Sequence, residues 1–190
     1  MKKAKIGVIG AGWWATEFHI PHLKERDDVE LTSVCKLEED ELKFVKDKFG
    51  FKHASTDYIE MLDMEQLDGV VIATPHFAHF ENIKAALARG CHVLVEKPMT
   101  DNVDEALELV KLAKLRDCIL QVGHIERFNP VFNFLQKAVQ APRFIESHRL
   151  SPYPARSMDI GVVLDLMIHD LDIVLTFVSS KIEHVDATGV

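Results

Sequence analysis

A short apolar run, Ile6-Gly7-Val8-Ile9, stops at Gly10-Ala11-Gly12-Trp13-Trp14-Ala15 and gives way at once to a helical pattern. Few strings of ten residues restrict a chain so tightly. A strand that enters a helix through glycines at this spacing brings its backbone close to something, because each glycine removes a Cβ that would stand in the way. Gly10 permits the tight turn, Gly12 lets an anion approach the backbone, and Ala15 is small enough for helix to pack on strand. The N–H groups at the start of such a helix and the positive end of its dipole suit a pyrophosphate. Alone, the string also fits a plain glycine turn, so its surroundings decide.

Those surroundings alternate. Apolar runs predict strands over residues 5–9, 30–34, 69–73, 92–96 and 119–122, and 3.6-residue periodicity predicts helices over 13–24, 39–49, 76–88 and 103–116. A helical turn is expected at 58–61, and Gly50 and Gly90 stand where helices should stop. Strands apolar on both faces and separated by helices imply a parallel sheet covered on both sides, so residues 1–122 are expected to form a doubly wound α/β Rossmann domain. After Gly123 the texture changes: a helix is expected at 131–138, a strand at 143–150, a loop at 151–157, a helix at 162–177 and a strand beginning at 182–187. Residues 123–190 therefore read as the start of an α+β second domain, incomplete, with an unfinished sheet that a partner would have to cover.

Composition narrows the partners. With 22 Lys and Arg against 30 Asp and Glu, the net charge of -8 argues against a nucleic-acid surface, which needs clustered cations. Cys35, Cys91 and Cys118 have no disulfide or metal-ligand spacing, which suits a reducing cytoplasm and no structural metal. Lys2, Lys3 and Lys5 before the apolar run imitate a secretion signal, but the glycine spacing and the continuing alternation favour a folded strand. No apolar stretch approaches the ~20 residues that span a bilayer.

Several other positions carry chemistry. An acid normally ends the second strand of a dinucleotide fold and binds the adenosine ribose diol, whereas this chain has Lys36 there. A cation at that point could face the 2′-phosphate of NADP; Glu38 or Glu39 could reach the ribose instead; Lys36 could equally be a solvated charge. The balance leans to NADP. Glu96-Lys97-Pro98 closes the strand at 92–96, on the carboxyl edge where ligands bind in open parallel sheets. There the Lys97 ammonium either meets a substrate hydroxyl or is simply solvated. Asp165 and His169 lie four apart on a predicted helix, a catalytic pair or an ordinary intrahelical one. Thr74-Pro75 makes a turn after which His76 and His79 would line the nicotinamide side of the cleft, and of Trp13 and Trp14 one is expected in the core and the other beside the cofactor.

These residues together resemble the glucose-fructose oxidoreductase, inositol dehydrogenase and rhizopine-catabolism (Gfo/Idh/MocA) family of NAD(P)-dependent oxidoreductases. The resemblance runs along the whole chain, through the glycine loop, Ala73-Thr74-Pro75-His76, residues 85–99 with Val95-Glu96-Lys97-Pro98 inside them, and 165–169. It implies NAD or NADP as cofactor, a lysine at Lys97 that contacts nicotinamide and substrate, and Asp165 and His169 that orient and deprotonate the reacting hydroxyl. It also implies a homo-oligomer, formed through the open sheet of the C-terminal domain. Family members are longer, so the chain reads as a fragment or as an unusually short relative.

A narrower similarity links residues 123–130, 159–165 and 168–172 to members that oxidise the 3-hydroxyl of UDP-N-acetylglucosamine and related nucleotide sugars. On that reading His124 joins the substrate site, and Arg127, Arg149 and Arg156 meet a diphosphate; surface charge or interdomain pairing is the alternative role for the arginines. The competing functional reading is a catalytically inactive NAD(P)-binding regulatory or scaffold protein. A metal hydrolase built on His76, His79, Asp165 and His169 is disfavoured, because their spacing matches no known ligand pattern.

Overall fold

The computed structural model describes residues 2–152 and 160–189. By internal contacts the chain divides into two units, Met1–Gly123 and His124–Val190. The first holds a six-stranded sheet of β1 (Ala4–Ile9), β2 (Val29–Cys35), β3 (His53–Ser55), β4 (Gly69–Ile72), β5 (His92–Val95) and β6 (Leu120–Val122). Every pairing is parallel, in the order β3-β2-β1-β4-β5-β6. That is the doubly wound order, and it reverses direction between β1 and β4.

Alternation along each strand builds the two halves of the core. Ile9, Cys35 and Ile72 face one layer with Met61, Ile83, Leu87 and Leu109, while their chain neighbours Val8, Val34 and Val71 face the other with Ala15, Ile20, Val45 and Phe49. The first layer is supplied by α3 (Tyr58–Met64), α4 (His79–Ala88) and α5 (Val103–Leu115), the second by α1 (Ile20–Lys24) and α2 (Glu39–Phe49). Asp57 and Asn102 cap α3 and α5 by accepting two backbone N–H bonds each, and α2 ends at Gly50 in the left-handed conformation, φ 81°.

Three elements depart from the sequence reading. The helix expected over 13–24 begins as a π-turn, Ala15–His19, because the ladder lengthens by one residue: the Ile20 N–H bonds to Ala15 O, just before Pro21, which has no N–H to give. β3 was not expected, and the helical turn at 58–61 extends to Met64. The strands expected at 143–150 and 182–187 do not form. Among the described residues no strand lies beside either, and Phe144 and Leu150 are exposed; an extended segment becomes a strand only by pairing. The described part of the second unit is instead helical: a 3-10 turn (Ile125–Phe128), α6 (Pro130–Ala138), and a π-turn (Val163–Met167) running into α7 (Ile168–Phe177). Phe132 of α6 packs edge-on against Phe177 of α7. No helix among the described residues is long and apolar enough to cross a membrane.

Candidate cofactor site

The sheet's reversal point lies at the carboxyl ends of β1 and β4, and the glycine loop sits there. Gly10 has φ 88° and its N–H bonds to Cys35 O at 3.0 Å, so the loop hangs from the end of β2. A Cβ on Gly10 would lie 2.6 Å from Thr74 N and 2.7 Å from the Ala73 carbonyl carbon, so backbone rests on backbone and only glycine fits. Gly12 is different. A Cβ there would meet nothing within 4 Å. Packing within the protein gives no reason for that glycine, whereas clearance for a ligand's phosphates does. Ala15, fully buried, closes the first turn onto the strands.

A cleft of about 460 Å³ opens over this loop, lined by Gly10 to Gly12, by Lys36 to Glu38 after β2, and by Ala73 to Pro75 after β4. Thr74 Oγ1 donates to Asn82 Oδ1 at 3.0 Å, which fixes that wall. Lys36 is only 14% exposed, with its Nζ 3.0 Å from both Glu38 Oε2 and Glu41 Oε2. Burial alone would pull its pKa down; the two carboxylates outweigh that and hold it above the ordinary lysine value.

Behind the loop is a contact that the sequence reading missed. Glu96, half-buried after β5, accepts from Trp14 Nε1 at 2.8 Å and pairs with His19 Nε2 at 2.7 Å, both on its Oε1. Burial pushes this carboxyl up, yet the bonds from His19 and Trp14 more than compensate and hold it below the ordinary carboxylate value. The glycine-loop helix is thereby tied to the residue that precedes Lys97. The available signal was His19 at i+4 from Ala15, on the face that packs inward. Trp13 is exposed and Trp14 half-buried, and with Phe18 they form an aromatic cluster with centroid separations of 4.3–6.0 Å.

His79 does not line the cleft. It is 1% exposed, its Nδ1 2.7 Å from Pro98 O and its Nε2 2.9 Å from Thr74 O, so it ties the exit of β4 to the turn after β5. Burial keeps its pKa below the ordinary histidine value against the pull of the two carbonyls. His76 stands in the 3-10 turn His76–Ala78 just before it. Lys97, half-buried, follows Glu96 on the same carboxyl edge.

The remaining candidates belong to the second unit. Asp165 lies in its π-turn and His169 in the first turn of α7, both half-buried. The Arg127 guanidinium forks onto Asp172 at 2.7 and 2.5 Å, with the His124 ring 4.0 Å from the same carboxylate, and Arg149 forks onto Asp170 at 2.7 and 3.1 Å. Both arginines are thus engaged by carboxylates of α7. Arg156 lies outside the described residues.

Residues 4–124 match the oxidoreductase family with the NAD-binding Rossmann fold, Gfo/Idh/MocA. The chain belongs to this family. As a Gfo/Idh/MocA member it is 41% identical over 128 residues to a UDP-N-acetylglucosamine 3-dehydrogenase from Acidithiobacillus ferrooxidans, covering 67% of this chain and 41% of the relative. A solved structure of that enzyme superposes with a TM-score of 0.83 at 35% identity, covering 93% of this chain and 57% of the other. A myo-inositol 2-dehydrogenase from Thermotoga maritima is 30% identical over 194 residues, 97% of this chain and 58% of the relative. The chain therefore spans about half the length of the relatives it matches.

Proposed function

We propose that this chain works in the NAD(P)-dependent oxidation or reduction of a sugar at a hydroxyl-bearing carbon, with the 3-hydroxyl of UDP-N-acetylglucosamine as the preferred substrate. One observation carries the reading: Gly12 faces open space beside a Gly10 that is sterically obligatory, at the reversal point of a β3-β2-β1-β4-β5-β6 sheet. Gly10 answers to the backbone it rests on, and a dinucleotide's pyrophosphate accounts for the clearance kept beside it at Gly12. The likeness to a nucleotide-sugar 3-dehydrogenase supports the substrate.

The cofactor, when bound, supplies or takes the hydride. The protein's part is position and charge. Gly10, Gly12 and Ala15 hold the pyrophosphate; Thr74 and Pro75 wall the cleft; Trp13 shields it. Trp14, His19 and Glu96 fix the loop, and His79 fixes the turns after β4 and β5. Lys97 donates a hydrogen bond to the reacting oxygen and stabilises its alkoxide character, His169 takes the hydroxyl proton, and Asp165 orients His169 and favours its protonated form. His124, Arg127 and Arg156 recognise the nucleotide sugar. A homo-oligomer working in the cytoplasm completes the reading.

The test follows nicotinamide fluorescence while the purified chain is titrated with NADH and with NADPH, then again with UDP-N-acetylglucosamine present. Saturable binding that the sugar nucleotide alters is the expected result. Binding indifferent to the sugar favours a regulatory or scaffold role, and no binding at millimolar coenzyme removes the reading.

A further inference from the structure

We propose that this chain selects NAD(H) over NADP(H), and that it does so by engaging Lys36 with Glu38 and Glu41 so that the end of β2 offers a carboxylate, not an ammonium, to the adenosine ribose. The inference rests on the coenzyme reading above and refines it. It also reverses the leaning towards NADP that Lys36 suggests when read in sequence alone.

In this architecture the exit of the second strand reads the ribose: an acid accepts from the diol, and a cation receives the 2′-phosphate. Lys36 follows β2 directly, and the cleft wall includes both Lys36 and Glu38. The exposures decide which charge is presented. The Lys36 side chain is 14% exposed, while Glu38 and Glu41 are 60% and 67% exposed. The cation is the inner member of the cluster and the carboxylates are the outer ones, so one positive charge stands against two negative ones. The adjoining hollow adds Glu17, Asp40 and Lys48 to Lys36 and Glu41, and the Lys48 ammonium lies over the rings of Phe44 and Phe49 at 5.6 and 5.0 Å. With Glu38 included, two ammonium groups face four carboxylates.

The local fold supports this arrangement. Glu38 is the N-cap of α2, and Glu39, Asp40 and Glu41 fill its first turn, where the helix dipole favours anions. Glu41 therefore reaches back to Lys36 from a position the helix stabilises. A 2′-phosphate would bring about two more negative charges to this spot. A ribose diol brings two hydroxyl donors, which a carboxylate accepts.

The experiment compares NADH and NADPH dissociation constants by nicotinamide fluorescence for the purified wild-type chain, Glu38→Gln/Glu41→Gln and Lys36→Met. The wild type is expected to bind NADH on the order of ten- to a hundredfold more tightly, the worth of one hydrogen bond to a charged group. The double variant, which uncovers Lys36, should gain NADPH affinity by about tenfold and lose NADH affinity. Lys36→Met should still reject NADPH. Circular dichroism establishes that the variants are folded. Equal or tighter NADPH binding by the wild type, an unchanged coenzyme ratio in the double variant, or a gain of NADPH affinity in Lys36→Met overturns the inference. Failure of either reduced coenzyme to bind at all overturns the coenzyme reading beneath it, a different and recognisable result.

Discussion

Replacing Glu96 tests how the glycine loop is held. Glu96 receives two donors on one oxygen, Trp14 Nε1 and His19 Nε2, with side-chain exposures of 14% for Glu96 and 17% for His19. Glu96→Ala leaves both donors without that acceptor. Each such donor costs about 1–3 kcal/mol, and partial access to water places the sum near the lower end, about 2–4 kcal/mol. That is a large share of a domain stability of about 5–15 kcal/mol. Glu96→Gln keeps an acceptor oxygen and loses only the charge, so it should cost about 1 kcal/mol. Both tryptophans of the chain, Trp13 and Trp14, sit on this loop, so urea unfolding followed by intrinsic fluorescence reports on the unit in question. A cycle with His19→Ala should return a coupling of about 1 kcal/mol. The pH dependence follows from the carboxyl's lowered pKa: its contribution is complete above the ordinary value of 4.5 and fades as pH falls through the folded value. The gap between wild type and Glu96→Gln should accordingly close in acid. Strict additivity with His19→Ala, or an Ala variant within about 0.5 kcal/mol of wild type, would refute the clamp.

Two further outcomes are expected. Gly10→Ala forces a Cβ against the Thr74 amide at 2.6 Å from a φ of 88°, and should destabilise the first unit by about 1–3 kcal/mol, read as a lower urea midpoint, as well as loosening coenzyme. Lys97→Met should collapse turnover with UDP-N-acetylglucosamine while coenzyme affinity stays within a few fold; unchanged turnover would remove Lys97 from the chemistry.

What could be seen in the sequence was local in origin. The strand, glycine turn and helix of residues 5–24 announce themselves because each glycine answers to its immediate neighbours, and α2, α4 and α5 because their apolar faces repeat every turn. β3 escaped because His53-Ala54-Ser55 has no alternating pattern of its own and is a strand only by pairing with β2. The expected strand at 143–150 failed for the converse reason: Arg-Phe-Ile-Glu has the right texture, but among the described residues no strand lies beside it to pair with. Site residues divide the same way. The Gly10 and Gly12 positions follow from the turn, whereas the Glu96–His19 pair joins residues 77 apart, and spacing places His19 on the inward face of its helix without naming the partner it meets there. Lys36 lies between these cases. Its partners at i+2 and i+5 were in plain view, but which of the three side chains is outermost is a property of the packed end of β2.

The most direct measurement is an NADH titration of Gly12→Val beside the wild type, with the unfolding midpoint of each. Because a side chain at position 12 enters open space, the variant should unfold at the same urea concentration as the wild type and lose NADH affinity by at least about tenfold. Equal affinity in the two proteins would mean that nothing occupies the space beside Gly12, and the coenzyme site would have to lie elsewhere.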